Sequence, residues 1–98
     1  GNMKVDGIVI SSSDIRIKNN VNKIDNALDK LDKISGITYN LINDNKRHTG
    51  LIAQEVQEVI PEAVYTGEDG MLNIAYGNLM GLVIEAIKEL RKEIKAII

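Results

Sequence analysis

Residues 78–98 read NLMGLVIEAIKELRKEIKAII, a stretch without proline and with a single glycine, Gly81. Its apolar side chains recur at alternating steps of three and four, at Met80, Val83, Ile87, Leu90, Ile94 and Ile97. This spacing predicts a helix over about residues 77–98 with one apolar seam, whose β-branched members favour trimers or tetramers over dimers. The same pattern also fits an ordinary amphipathic helix packed within one protomer.

Two further helices are predicted in the preceding sequence. An apolar stripe made of Val21, Ile24, Leu28, Leu31 and Ile34 predicts a helix over residues 21–35, which Gly36 stops. A shorter helix is predicted over residues 51–60, because Pro61 disfavours helical angles in the residue before it.

The remaining segments favour short strands. Residues 37–42, 63–66 and 71–76 are predicted strands, and the Asp69-Gly70 pair between the last two is typical of a hairpin turn. Residues 3–10 are expected to be extended, as is the alternating apolar and basic segment at residues 15–18. The sequence therefore predicts an α+β fold that is mainly helical.

Composition excludes several classes of protein. The 98 residues suffice for one small domain, and its core must be aliphatic because three tyrosines are the only aromatic side chains. A domain of this size buries a modest share of its surface, so we expect partner chains to add stability. A formal charge of −2 disfavours nucleic-acid binding, and no apolar run approaches the roughly 20 residues of a membrane span. There is no cysteine.

Candidate chemistry is concentrated in SSSDIRIK at residues 11–18. A serine and a neutral lysine can form a nucleophilic dyad, although most such stretches are loops and helix caps. His48 is the single histidine and cannot hold zinc alone, so it is either a surface residue or a helper at a catalytic site. The acidic side chains at Glu55, Glu58 and Glu62 fit a solvated helix face better than the acid–base pair of a hydrolase.

Two motifs become specific when they are taken together. SDIRIKNNV at residues 13–21 precedes GLIAQEV at residues 50–56, with further matching residues at 24–31, 37–39, 61–64 and 76–90. In this order and spacing the chain resembles the endosialidase-type intramolecular chaperone domain. That family consists of self-cleaving serine peptidases at the C-termini of phage tail spikes, tail fibres and neck appendages.

The resemblance implies an architecture and a task. Residues 1–12 would end an upstream fibre stalk, and residues 13–98 would form the autoprocessing domain. The domain would be an intertwined homotrimer with a parallel C-terminal coiled coil. Its protruding β-hairpin arms, at residues 37–41 and 63–76, would embrace the β-rich stalk of the same polypeptide. It would act in the host cytoplasm during virion assembly and leave the mature fibre after cleavage.

The resemblance also implies the site residues. Cleavage would fall between Ser12 and Ser13, with Ser13 as nucleophile and Lys18 as its base. Supporting roles are expected among a few polar residues of the two motifs and the single histidine, namely Asp14, Arg16, His48, Gln54 and Glu55. No cofactor, metal, nucleic acid or membrane is expected to take part.

Geometry constrains this dyad. In a straight strand Ser13 and Lys18 would lie about 16 Å apart, and in a helix their rise would be about 7.5 Å. A direct contact therefore requires a turn between them or a lysine from a neighbouring chain. The amine must also be neutral, which desolvation on closure of a trimer would favour.

Three other functions remain open on the sequence. A non-catalytic trimerisation cap would share the seam but not the cut. A processing domain of a membrane-tethered transcription factor is suggested by the related domain of the myelin regulatory factor. A free hydrolase with its own substrate is disfavoured, because the chain is short and has no second catalytic constellation.

Overall fold

The computed structural model of the chain describes residues 2–5 and 7–98. These residues form six strands, which are β1 (Asn2–Val5), β2 (Ile8–Ser11), β3 (Ile37–Asn40), β4 (Arg47–Gly50), β5 (Val64–Thr66) and β6 (Leu72–Ile74). They also form three α-helices, α1 (Ala27–Leu31), α2 (Ala53–Val59) and α3 (Met80–Ile97), and three 3₁₀ helices, Ile15–Ile17, Pro61–Ala63 and Tyr76–Leu79. The predicted α+β class is confirmed.

The strands pair as three antiparallel hairpins, β1 with β2, β3 with β4, and β5 with β6. The predicted Asp69-Gly70 hairpin is confirmed: Gly70 has a φ of +82° and donates its N–H to the Gly67 carbonyl at 3.0 Å. Strand β4 was not predicted, because its sequence, RHTG, carries no apolar side chain. It forms because β3 offers a complete backbone ladder opposite it.

The expected extended segment at residues 3–10 is instead divided between two strands. β1 and β2 pair with Val5 opposite Ile8, and Gly7 adopts a φ of +78° between them. Asp6, within the predicted extended segment, and Gly1, at the start of the predicted stalk end, lie outside the described residues.

The core lies where α1, α2 and the start of α3 meet. It consists of small and aliphatic side chains, as the composition predicted, namely Ala27, Val56, Ile60, Ala63, Leu79, Leu82 and Ala86. Helix α3 buries Leu82 and Ala86 here, on a different side from its predicted seam. Ala27 of α1 and Ala86 of α3 are both buried where the two helices pack.

The predicted helix over residues 21–35 was wrong in its length. Only Ala27–Leu31 is helical, because Asn26 has a left-handed φ of +49° and Asn20 a φ of +51°. Asparagine tolerates this region better than other side chains, so these two residues break the helix that the apolar spacing predicted. The stripe still reaches the core through Ile24, Leu28, Leu31 and Ile34, whereas Val21 is 64% exposed.

The predicted extended structure at residues 15–18 was also wrong. Ile15–Ile17 forms a 3₁₀ turn, in which Ile17 N–H donates to the Asp14 carbonyl and Lys18 N–H to the Ile15 carbonyl, each at 3.1 Å. The Asp14 side chain caps the turn by accepting from Arg16 N–H. A local side-chain cap therefore overrides a short alternation of apolar and basic residues.

Candidate active site

The candidate site is a single six-residue segment between β2 and the start of the core. Ser13 and Asp14 lie in the loop after β2, and the 3₁₀ turn Ile15–Ile17 follows directly. The backbone leaves the turn at Lys18, whose φ and ψ of −113° and 145° are extended. The chain thus changes direction between the serine and the lysine, as a direct contact requires.

The Lys18 amine donates a hydrogen bond to the Ser13 hydroxyl, with Nζ and Oγ 2.8 Å apart. Both residues belong to the same chain and are five positions apart. This distance lies within hydrogen-bond reach of a nucleophile and its base. The turn places the two groups together without a lysine from a neighbouring chain.

Asp14 and Arg16 form a second pair inside the same segment. Arg16 Nε and Nη2 donate to the Asp14 carboxylate, with Nε 3.1 Å from Oδ1 and Nη2 2.8 Å from Oδ2, and Arg16 N–H donates to Oδ1 at 2.9 Å. The Arg16 side chain, followed by its backbone N–H, holds the pKa of Asp14 below its usual value. Asp14 in turn raises the pKa of Arg16. The capped turn is thereby closed by an ion pair with a forked geometry.

The segment is exposed in the single chain. Ser13, Asp14, Arg16 and Lys18 all lie at the surface, and the two isoleucines of the turn, Ile15 and Ile17, are each 67% exposed. Two large apolar side chains therefore flank the serine–lysine pair without a cover from their own chain.

Gln54 and Glu55 lie on α2, away from this segment in the chain. The Glu55 carboxylate accepts from the Ser35 N–H at 2.9 Å and from its hydroxyl at 3.4 Å, so it fixes the chain between α1 and β3. Gln54 lines an open groove of about 580 Å³ between β3 and β6. In the described part of the chain, neither side chain is hydrogen-bonded to Ser13 or Lys18.

His48 lies on β4 and stacks on Tyr39 of β3, with ring centroids 5.6 Å apart. Its Nε2 is buried and has no hydrogen-bond partner among the described residues. The contacts of this imidazole are those of a hairpin side chain, and they do not bring it to the serine–lysine pair.

All six predicted seam residues are exposed in the single chain, with exposed fractions from 38% at Val83 to 83% at Ile97. An adjacent side of α3 carries Leu82 and Ala86 into the core. Helix α3 therefore has one apolar side that its own chain covers and a second apolar side that it leaves open.

Glu89 is a structural residue that the sequence analysis did not identify. Its carboxylate accepts from the Ala27 N–H at 2.8 Å and from the Leu28 N–H at 3.0 Å, and so caps the start of α1 from α3. A signal was present, since Glu89 follows Leu82 and Ala86 at helical spacing, on the side of α3 that faces the core.

Tyr76 was likewise missed as a link between elements. Its hydroxyl accepts the Leu51 N–H at 3.1 Å. A Cβ on the neighbouring Gly50 would lie 2.6 Å from that hydroxyl oxygen, so a larger residue there would have to displace the hydroxyl. Tyr76 thereby ties the end of β4 to the segment that leads into α3.

The described residues include no candidate metal site and no candidate membrane-spanning helix. They contain no group of three His, Asp or Glu side chains that could hold a metal ion. Among their helices, none combines the length and the apolar character that crossing a membrane requires.

Comparison with known proteins gives one family match and several relatives. The peptidase family described as "Chaperone of endosialidase" matches residues 13–65, beginning at Ser13. The chain is 38% identical over 92 residues to long tail fiber protein Gp37 of Enterobacteria phage K3, which covers 85% of the chain and 7% of that protein.

Other relatives carry the same name. Identity is 41% over 87 residues with the Escherichia phage AR1 protein, covering 79% of the chain and 8% of the relative. With the Enterobacteria phage M1 protein it is 37% over 93 residues, covering 85% of the chain and 37% of the relative. The chain thus spans less than a tenth of the length of the K3 and AR1 proteins.

Proposed function

The chain belongs to the chaperone-of-endosialidase family, and we propose that it is the self-cleaving, trimeric chaperone module of a phage fibre protein. It assembles three chains, assists the folding of the stalk upstream, and then releases itself by cutting between Ser12 and Ser13. The observation that carries the proposal is the 2.8 Å hydrogen bond between Lys18 Nζ and Ser13 Oγ at the first family-matched residue.

The reaction is a peptide hydrolysis in two steps. The neutral Lys18 amine takes the Ser13 hydroxyl proton while Oγ forms a bond to the Ser12 carbonyl carbon. The bond from that carbon to the Ser13 nitrogen breaks, and the nitrogen takes the proton from the Lys18 ammonium. Water then hydrolyses the resulting Ser12 ester, which restores the Ser13 hydroxyl and leaves a carboxylate on Ser12.

Assembly is the proposed trigger. Free lysine is protonated at neutral pH, and only the neutral amine can accept the serine proton. The pair is exposed in the single chain, and Ile15 and Ile17 beside it are uncovered. A neighbouring chain that covers these isoleucines would remove water from the amine and favour its neutral form. Cutting would then follow assembly and not precede it.

The open side of α3 supports the trimer. Six apolar side chains at heptad spacing are exposed, which a lone soluble domain rarely tolerates over a continuous strip. Ile87 and Ile94 are β-branched at a positions, and Val83 and Ile97 at d positions, a pattern that favours more than two strands. Three parallel copies of α3 would bury this strip around one axis.

A trimeric helix next to a fibre would speed the slow assembly of the fibre chains. β-rich fibres form from contacts between distant residues and separate chains, which are slow to form. Holding three chains together raises their effective concentration and sets their register. Removal of the module afterwards leaves a stalk that cannot readily unfold and refold, so its stability becomes kinetic. The relatives named as long tail fiber proteins fit a task in virion assembly in the host cytoplasm.

Intact mass of the purified chain tests the proposal. We expect the wild-type chain to yield fragments of residues 1–12 and 13–98, and Ser13→Ala to remain whole with its oligomeric state unchanged. Ser12→Ala is the matched control, because it removes a neighbouring hydroxyl and leaves the nucleophile. An uncut wild-type trimer would instead identify a non-catalytic trimerisation cap.

A further inference from the structure

The candidate site contains a competitor for its own base. Asp14 directly follows Ser13, so its carboxylate is the acid nearest in sequence to the hydroxyl that the Lys18 amine contacts. An ammonium binds a carboxylate more strongly than it binds a hydroxyl. An ion pair with Asp14 would turn Lys18 away from Ser13 and favour the protonated form of its amine.

Arg16 occupies that carboxylate in the structure. Its Nε lies 3.1 Å from Oδ1 and 3.2 Å from Oδ2, and its Nη2 lies 2.8 Å from Oδ2. The Arg16 backbone N–H also donates a hydrogen bond to Oδ1. Both Asp14 oxygens are therefore engaged by one residue. A guanidinium suits this task because its fork matches a carboxylate and it does not release its proton.

We propose that Arg16 is a positioning residue that sequesters Asp14, so that the Lys18 amine binds the Ser13 hydroxyl instead of the neighbouring carboxylate. This inference rests on the proposed self-cleavage. It explains why the segment carries two cations and one anion around its serine. Arg16 pairs with Asp14, and Lys18 remains available to bind the Ser13 hydroxyl.

The charged groups around the pair are few. In the part of the chain that the structure describes, the side-chain hydrogen bonds of Ser13, Asp14, Arg16 and Lys18 all stay within residues 13–18. The ion pairs there are Arg16 with Asp14, Lys30 with Asp25 and Lys88 with Glu85, and Lys18 belongs to none of them. Asp14 is thus the one carboxylate within residues 13–18.

The test is a comparison of cleavage rates against pH in Arg16→Ala, Asp14→Asn and the double variant. Arg16→Ala should slow cleavage at least tenfold at neutral pH and move the acidic limb of the rate profile upward by about one pH unit or more. Asp14→Asn keeps the oxygen that caps the turn but removes the competing charge. The double variant should therefore cut within about threefold of Asp14→Asn alone, so that the second substitution rescues the first.

A purely structural role for Arg16 predicts something different. The turn would be as damaged in the double variant as in Arg16→Ala, and both would be slow at every pH. That result, or wild-type cleavage by Arg16→Ala, overturns the proposal. Lys46→Ala, which removes an exposed cation from the β3–β4 turn, controls for the loss of one positive charge.

A second measurement separates this inference from the proposed function. ¹⁵N NMR of the Lys18 side chain follows the titration of its amine in uncut protein as well as in cut protein. The amine should titrate at higher pH in Arg16→Ala than in the double variant. Equal titration in the two variants overturns the inference whatever their cleavage rates. An uncut wild-type chain with the expected titration difference defeats self-cleavage and leaves the sequestering contact standing.

Discussion

Two carboxylates in this protein fix the start of a short helical turn, one locally and one from a distant position. Ser13 and Lys18 meet at 2.8 Å because a capped 3₁₀ turn lies between them, and that turn depends on the Asp14 side chain. Glu89 performs a capping role across 62 positions of sequence by binding the Ala27 N–H. In both cases a carboxylate fixes the start of a short helical turn.

Replacing the proposed base, Lys18, by another cation should distinguish base catalysis from electrostatic support. Lys18→Arg retains a cation beside Ser13, but a guanidinium cannot accept a proton at neutral pH. We expect cleavage to slow by about a hundredfold or more, the usual contribution of a general base, with trimer formation unchanged. Intact mass over time gives the rate, and Lys46→Arg is the control on an exposed lysine. Full cleavage by Lys18→Arg would show that Lys18 is not the base.

The Glu89 cap should make stability depend on pH. The N–H groups of Leu28 and Ala27 hold the pKa of Glu89 below its usual value, so its stabilisation is present at neutral pH and is lost as the pH falls through that lowered value. Glu89→Gln should lower the melting temperature at pH 7 by roughly 5 °C, as expected for one lost helix cap.

The two proteins should converge as the pH falls below the lowered pKa of Glu89, where the wild-type carboxylate also becomes neutral. Thermal melts at one protein concentration measure the difference, because assembly would otherwise shift the midpoint. A gap that stays constant from pH 7 to pH 3 would contradict the capping role of the charge.

Helix α3 combines two contacts in one element. Leu82, Ala86 and Glu89 join it to the core and to α1 of its own chain, while the seam from Met80 to Ile97 remains exposed. A helix with apolar side chains on two sides is expected to have two partners. The first is present within the chain, and the second is proposed to be the other copies of α3.

A charge in the seam should prevent assembly of the trimer without unfolding the single chain. Ile87 is 60% exposed in the single chain, so Ile87→Asp costs the isolated fold little. In a trimer the same change would place three carboxylates on one axis, and we expect a monomer at micromolar concentration that does not cut itself. Sedimentation equilibrium and intact mass report the two effects.

Lys92→Gln serves as the matched control, because it lowers the charge of α3 by the same one unit outside the seam. It should remain trimeric and cut normally. Cleavage by a monomeric Ile87→Asp chain would show that assembly does not gate the reaction.

The β5–β6 hairpin is one of the two arms expected to contact the stalk. Its bases, Val64 and Ile74, pack against the core, whereas Tyr65 and Met71 are exposed nearer the turn. Deletion of residues 65–72 therefore removes the outer part and leaves the packed ends. We expect the trimer and its self-cleavage to persist while the yield of protease-resistant stalk from the parent fibre falls severalfold. Normal maturation of the fibre would place the chaperone contact elsewhere.

The whole chain is more open than a compact domain of its length. Its radius of gyration is 16.3 Å, against about 13 Å expected for 98 residues. Its accessible surface is 8197 Å², against roughly 5,500 Å² for a compact monomer of the same mass. Many large apolar side chains are exposed, so the isolated chain lacks the burial that a domain of this size normally needs for stability.

We therefore expect the purified chain to be a homotrimer. Sedimentation equilibrium at micromolar concentration should give three times the monomer mass, and the melting temperature should rise with protein concentration. Glu58→Ala, an exposed change on α2 away from the seam, should leave both results unchanged. A stable monomer with a concentration-independent melting temperature would contradict the proposed assembly.

Several features followed from the sequence because they depend on residues close together in the chain. The heptad spacing predicted α3, Pro61 the end of α2, and the Asp69-Gly70 pair the β5–β6 hairpin. The pairing of Ser13 with Lys18 was expected from the motif, and the need for a turn between them followed from strand and helix dimensions. Each of these predictions required only local backbone preferences or short-range periodicity.

Other features were decided by the folded chain. Strand β4 forms because β3 lies beside it, and α1 is a single turn that begins where Glu89 caps it from α3. The 3₁₀ turn at Ile15–Ile17 replaced a predicted extended segment, because the alternating pattern does not reveal where the Asp14 side chain will point. Backbone groups at short helix ends and on lone strands must find hydrogen-bond partners, and those partners can lie anywhere in the sequence. Their identity is therefore settled by the tertiary structure.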